Sequence, residues 1–529
     1  MSLYDRVFVN GNILTMHRGQ RVSEVAVAGG KVVAVGRRGE LSSQADASAG
    51  IVDLQGQTLV PGFEDAHAHV WKMGQLLTTS LDLRRSASIE AIGDLIRQRD
   101  AILSQGAWLL GRGFNEIALA ERRRPTRHDL DRFSADRPVV LTRTCGHIFV
   151  ANSLALKIAG IDRTTISPDG GIVERGEDGE PNGLLHETAM GLIHRVLPPP
   201  SRADLKAMIY AALQHQLALG ITSSSDCGVL PDLLETYLEM DRDGALPARM
   251  VVMPLGRPDG ASGPMQLPQQ HRSSMLRVDT VKFLADGGLS GATAALSVPY
   301  RHGNSSGVVR FRSEDLLALF ADAQRAGWRI ATHAIGDAAI EQVLGLYESL
   351  EPHPSRPLHR IEHLGLPSVS QLQRMARAGV VAVTQPIFLN ELGANFIDVV
   401  PESLCPRIYP VRDLLQVGLT VAFSSDAPVV ECDCPLAGIH AAVTRRTREG
   451  TTILPDQAIT AEQGLYAYTH AAAVAAGEEQ SRGSIQEGRW ADFAVLSADP
   501  TAVEPEAITG IHVQRTYLAG ELVYERNAQ

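Results

Sequence analysis

The chain's 529 residues exceed what one compact core usually organises, and their 44% hydrophobic and 21% charged shares are those of a soluble globular protein. Its 49 Lys and Arg stand against 60 Asp and Glu, and the formal net charge of −11 argues against nucleic acid as a partner. No apolar run is long enough to cross a bilayer, which argues against a membrane partner.

The N-terminus, "MSLYDRVFVNGNILTM", has an early acidic residue and no basic stretch leading into an apolar one, so a cytoplasmic location is expected. The first segment reads as short β-strands: "RVFVNGNILTM", "EVAVAGGKVVAVG" and "GIVDLQGQTLV", with Asn-Gly and Gly-Gly as hairpin signals. The last segment has the same style, in "ADFAVLSAD" and "VQRTYLAGELVYE". Residues 1–57 and 475–529 are therefore expected to pair into one small β-sandwich, since domain termini often lie close together.

Between them, over 58–474, short apolar strands alternate with helical stretches such as "EDLLALFADAQRAG" and "SVSQLQRMARAG". Seven strands are read in "LGITSSSDCG", "ARMVVMPLG", "VDTVKFLADGG", "RIATHAIGD", "RIEHLG", "VVAVTQP" and "LTVAFSSDAP". The strand before His67, built on Thr58-Leu59-Val60, makes eight. The fold class is thus α/β, a TIM-type (β/α)8 barrel with its chemistry at the C-terminal strand ends. Residues from about 71 to 215 are too many for one βα connection and read as an inserted subdomain over the barrel mouth. They hold helical "SIEAIGDLIRQRDAIL" and "RADLKAMIYAALQHQLALG" and a strand-like "RPVVLTRTCGH".

The polar residues at the strand ends carry the chemistry. In "PGFEDAHAHV" (61–70), His67 and His69 are two apart, so on a strand they project to one side and could hold one metal ion. Alone, the pair fits two polar loop residues at least as well. Later strand ends supply Lys282, His333, His363 and Asp426. Each alone has a plain structural explanation, as a hydrogen-bonded histidine or as a turn or cap aspartate. Together, each at the end of an apolar strand, they point to a metal site. The five cysteines (Cys145, Cys227, Cys405, Cys432, Cys434) are odd in number and scattered, which does not suggest a disulfide framework. "CDC" at 432–434 lacks a second Cys or His pair and reads as a surface loop. "RRRPTR" (122–127) reads as a solvated face, and "GGLSGATAAL" lacks the Lys-Ser/Thr pair of a phosphate-binding loop.

The motifs "LVPGFEDAHAH", "VKFLADGGLSGATAAL", "HAIGD", "RIEHL", "SSDAPV" and "GSIQEGRWADFAVL" resemble those of the amidohydrolase superfamily of metal-dependent hydrolases. With "RPTRHDLDRFSADRPVVLTRTCGHIFVANSLAL" added, the chain is similar nearly end to end to the branch containing N-substituted formamide deformylase. The resemblance implies the barrel and the sandwich. It implies that His67 and His69 hold a first ion, and His333 and His363 a second if there is one. Imidazole and carboxylate suit Zn2+, one or two ions per chain with two expected. Such an ion generates hydroxide near neutral pH, and Asp426 would ligate the metal or serve as general acid/base. Lys282 resembles the strand-four lysine that many members carry as a carbamate bridging two metals; the plainer reading is a lysine paired with Asp286. His147, in a Gly-His pair that relatives also have, would polarise the substrate carbonyl or simply anchor the insert. Cys145 stands where that branch is expected to have an aspartate, which leaves substrate contacts open. Glu187 matches a family position too, although helix capping accounts for it.

The expected function is hydrolysis of a non-peptide C–N bond in an amide, N-substituted formamide or cyclic amide. The substrate is a small amide-type molecule, and the family implies a homodimer. An alternative is a mononuclear zinc deaminase of the same superfamily, whose members typically lack the strand-four lysine. A non-catalytic scaffold is disfavoured because every expected ligand position is filled.

Overall fold

The computed structural model describes residues 3–527 except 105, 145, 147, 169–170, 259–262 and 352–357. It contains two compact units, Trp71–Ala212 and the rest, Met1–Val70 with Leu213–Gln529. Among the described residues no helix is long and apolar enough to cross a membrane.

The larger unit is organised by eight strands: β1 (Phe63–Ala68), β2 (Ile221–Val229), β3 (Arg249–Pro254), β4 (Thr280–Leu284), β5 (Arg329–Ala334), β6 (Arg360–His363), β7 (Val381–Thr384) and β8 (Val421–Phe423). They are buried almost throughout, as strands covered on both faces must be. β1, β2 and β3 run parallel in one five-stranded sheet, and β4 to β8 run parallel in chain order in a second. Main-chain contacts link the sheets at two edges. Leu255 bridges Lys282 beside β3 and β4, while Asp426 N–H donates to His67 O (2.8 Å) and His69 N–H to Ala427 O (2.8 Å) beside β8 and β1.

Helices fill the connections: α1 (Pro231–Arg242), α2 (Ser313–Arg325), α3 (Asp337–Glu348), α4 (Val369–Ala378), α5 (Ile387–Val399) and α6 (Val411–Gln416). α4 shows why they form. Ser368 and Gln371 make a reciprocal capping box, Leu372 and Met375 repeat on the buried face, and Gly379 at φ 69° stops the helix.

Both ends of the chain build a further pair of sheets in this unit. One runs Glu521–Glu525, Val513–Leu518, Phe493–Leu496, Thr58–Pro61, Asn12–Leu14, Arg21–Val22; the other runs Lys31–Gly36, Glu24–Ala28, Arg6–Val9, Gly50–Asp53. They share a core around Phe8, which meets Phe493 and Tyr517 edge-on at 5.3 and 4.9 Å. Thr58–Val60 therefore belongs to a terminal sheet, not to the strand that carries His67. The chain changes sheets at Gly62, whose N–H donates to Asp492 O (2.8 Å), while Phe63 N–H donates to Gly220 O (2.9 Å). A Cβ at Gly62 would sit 2.1 Å from Thr222 Oγ1, so only glycine fits the crossing. Two buried ion pairs flank it, Arg249 with Asp492 (2.6 and 3.0 Å) and Arg482 with Glu64 (3.0 and 3.1 Å).

The smaller unit holds a six-stranded sheet ordered Gly171–Arg175, Pro181–Glu187, Ile148–Ala151, Val139–Arg143, Leu109–Phe114, Ser80–Asp82. Leu83, Ile92, Phe114 and Leu141 lie in its core. The sequence reading found Val139–Arg143 and the helix Ile89–Asp100 here but not the sheet, whose other strands have short or broken apolar alternation.

Candidate metal centre

Among the described residues, those singled out at the strand ends come together. The His67 and His363 rings lie 4.8 Å apart between centroids, His333 and His363 4.4 Å, and His67 and His69 5.7 Å. Asp426 Oδ1 faces His69 Nε2 at 3.3 Å and His67 Nε2 at 3.5 Å, and its Oδ2 lies 4.0 Å from His363 Nδ1. Cys145 and His147 lie outside the described residues.

Fixed partners orient three of the imidazoles. His67 Nδ1 lies 2.6 Å from Glu362 Oε2, and Arg360, two residues earlier on β6, grips the same carboxylate through Nε (2.5 Å) and Nη2 (2.9 Å). Burial pushes the Glu362 carboxyl up, but Arg360, Lys282 and His67 outweigh it and hold it well below its usual range. An ionised carboxylate only accepts, so His67 Nδ1 carries the proton and Nε2 turns a bare lone pair inward. His363 Nδ1 meets Gln385 Oε1 at 2.9 Å, while the Gln385 amide nitrogen donates to Ser424 Oγ (2.8 Å), leaving His363 Nε2 bare. His333 Nε2 faces Gly287 O at 3.1 Å, a pure acceptor, so its bare atom is Nδ1. Burial, reinforced by His333, holds the His363 pKa well below the usual value.

The backbone at the site is strained. His363 (φ 71°), Leu364 (φ 51°) and Asp426 (φ 56°) occupy the left-handed region, at on the order of 1–3 kcal/mol each. The turn at Asp426 is held by Asp65, a residue the sequence reading passed over. Its carboxylate accepts from Ser425 Oγ (2.5 Å), Ser425 N (3.1 Å) and His67 N (3.2 Å). Burial pushes the Asp65 pKa up to about 7.

Lys282 is buried on β4, and its Nζ has no hydrogen-bond partner among the described residues. Burial lowers its pKa, against the charges of Glu362, Cys227 and Asp426. Asp286, the partner an ordinary lysine would take, is engaged elsewhere. It accepts from Ala295 N (3.0 Å), Ile335 N (3.1 Å) and Gly336 N (2.8 Å), and it lies 3.3 Å from His333 Nε2. Cys227, on β2, offers a buried sulfur within 4.8 Å of donor atoms of His67 and Glu362. The sequence signal was there in "SSSDCG", a thiol at a strand end. Glu187 ends a strand at φ 49° and makes no capping bond, so helix capping does not account for it. Cys432 and Cys434 belong to neither metal-competent group among the described residues.

This donor set fits a metal ion. His67 Nε2 and Asp426 Oδ1 are two electron-rich atoms facing each other without a proton between them, an arrangement that a cation would satisfy. Imidazole nitrogens with carboxylate oxygen form a set suited to zinc.

The chain is matched over residues 50–524 by the model of the amidohydrolase family. It is 31% identical to the Bacillus subtilis (strain 168) protein named amidohydrolase YtcJ, covering 98% of this chain and 99% of that one. It is 29% identical to N-substituted formamide deformylase of Arthrobacter pascens, covering 99% and 98%. Its fold is similar to the crystal structure of a metal-dependent hydrolase from Pyrococcus horikoshii OT3, with TM-score 0.78 at 27% identity, covering 95% of this chain and 99% of that one.

Proposed function

Because the chain belongs to the amidohydrolase family, we propose that it hydrolyses a non-peptide C–N bond in a small amide, N-substituted formamide or cyclic amide. The convergence of His67, His69, His333, His363 and Asp426 carries this reading. It takes β1 to β8 as a closed (β/α)8 barrel beside a β-sandwich of both termini, with Trp71–Ala212 as the insert. The main-chain links at Lys282 and at His67 support that closure.

His67 and His69 would hold one zinc ion, and His333 and His363 a second. When bound, zinc supplies a Lewis acid that lowers the pKa of water and polarises a carbonyl. Asp426 takes the proton of the attacking water at its carboxylate and passes it to the leaving nitrogen. Arg360 and Glu362 keep the His67 ring turned, so its lone pair stays available. Lys282 would react as its neutral amine with CO2: an N–C bond forms, one N–H proton leaves to solvent, and the resulting carbamate would offer oxygen ligands to the metal. Its burial and lack of a partner support this.

The test is a panel of amides, formamides and cyclic amides with zinc-loaded protein, scored by amine release, alongside aminated heterocycles scored by ammonia. Cleavage of an amide with amine release is expected. Ammonia from a heterocycle with one tightly bound ion per chain would replace this reading with deamination.

A further inference from the structure

Tyr409 is buried, yet its hydroxyl has no hydrogen-bond partner among the described residues. A buried hydroxyl left unpaired is destabilising, so it calls for an explanation. Packing fixes where the phenol points. The ring stacks on Phe396 (centroids 5.7 Å) and meets Phe388 edge-on (6.2 Å), and Phe388 stacks on His363 (6.4 Å). The head of the ring abuts the turn that follows β6: a Cβ on Gly365 would sit 3.7 Å from Tyr409 Cζ, the carbon that bears the hydroxyl. Gly365 is two residues beyond His363.

The main chain holds that pose against strain. Tyr409 is at φ 45°, with its N–H donating to Gly365 O (2.8 Å). Arg445, fully buried, donates to Tyr409 O (2.7 Å), Ile408 O (3.0 Å) and Ile453 O (3.0 Å). Arg445 thereby ties the left-handed backbone at Tyr409 to the Ile408 and Ile453 carbonyls. Burial, then the charges of Asp426 and Asp286, keep the phenol protonated and able to donate.

We propose that Tyr409 contacts the substrate, its hydroxyl donating a hydrogen bond to the scissile carbonyl oxygen as negative charge develops there. This rests on the hydrolase reading above. The experiment compares wild type with Tyr409→Phe, both full-length and zinc-loaded, by turnover of an amide the wild type cleaves, by metal content, and by calorimetric binding of acetate as a product-class carboxylate. The expected result is unchanged metal content and fold, kcat about 100-fold lower with KM little changed, and acetate binding weakened several-fold. Wild-type turnover and acetate affinity in the variant would overturn this inference alone. Loss of metal from the variant would show a structural role and overturn it too. A wild type that cleaves no amide, formamide or cyclic amide would overturn the hydrolase reading and this inference together.

Discussion

His67 Nδ1 and Glu362 Oε2 face each other at 2.6 Å from two different sheets, and Arg360 grips the same carboxylate from β6. One carboxylate thus sets the tautomer of a candidate metal ligand while neutralising a buried guanidinium. Glu362→Gln is expected to weaken zinc affinity by about 10–100-fold, read by chelator competition. It also leaves Arg360 buried without its counter-charge, so thermal stability should fall together with affinity. Unchanged affinity would mean that the contact does not orient His67 for metal.

Lys282→Ala should lower bound zinc from two ions per chain to one and remove most activity. Short carboxylates added with zinc should partly restore both by standing in for the carbamate. Metal analysis that still finds two ions in the variant would exclude the bridging role.

Asp426→Asn separates chemistry from backbone strain. Asparagine tolerates the left-handed region about as well as aspartate, so the substitution adds no backbone strain at the turn. Its amide cannot take a proton from water, and kcat should drop by at least ~100-fold. A variant retaining a tenth of the wild-type kcat would move the general base elsewhere.

Glu24 gives a pH-dependent stability remote from the site. Its buried carboxylate accepts from Gly39 N (2.7 Å), Leu41 N (2.7 Å), Ser42 N (3.0 Å) and Ser42 Oγ (2.8 Å). Burial raises its pKa, but these bonds outweigh it and hold the value below the usual glutamate range. A depressed folded-state pKa contributes stability above the unfolded value near 4.3, and that stability is lost as pH falls through the folded one. Glu24→Gln should therefore cost about 1–3 kcal/mol at pH 7, with the gap narrowing in acid. Urea midpoints at pH 7 and below pH 4 check this, and a gap that widens in acid would reverse the sign.

The strand ends were legible because each apolar run stops at a polar residue, and His67, His333, His363 and Asp426 stand at or just past those stops. Period alone could not separate Thr58–Pro61 from Phe63–Ala68, since only Gly62 lies between two wholly buried strands; a main-chain crossing at Gly62 divides them. Arg360 and Glu362 were passed over, although two opposite charges two apart on a buried strand are a signal for mutual pairing. Asp65 and Gln385 left a weaker trace, because a polar residue in an apolar strand does not reveal which neighbouring strand will satisfy it.

The crossing at Gly62 also sets an order of assembly. Pro61 pairs with Phe493 and Gly62 N–H donates to Asp492 O, so the strand leading into the first two histidines takes one neighbour, Asn12–Leu14, from the start of the chain and the other, Phe493–Leu496, from near its far end. A polypeptide emerging from the ribosome makes His67 early but cannot complete the sheet that precedes it until the final strands have been synthesised. A product truncated before Phe493 would keep the histidines and lose one flank of the strand that leads into them.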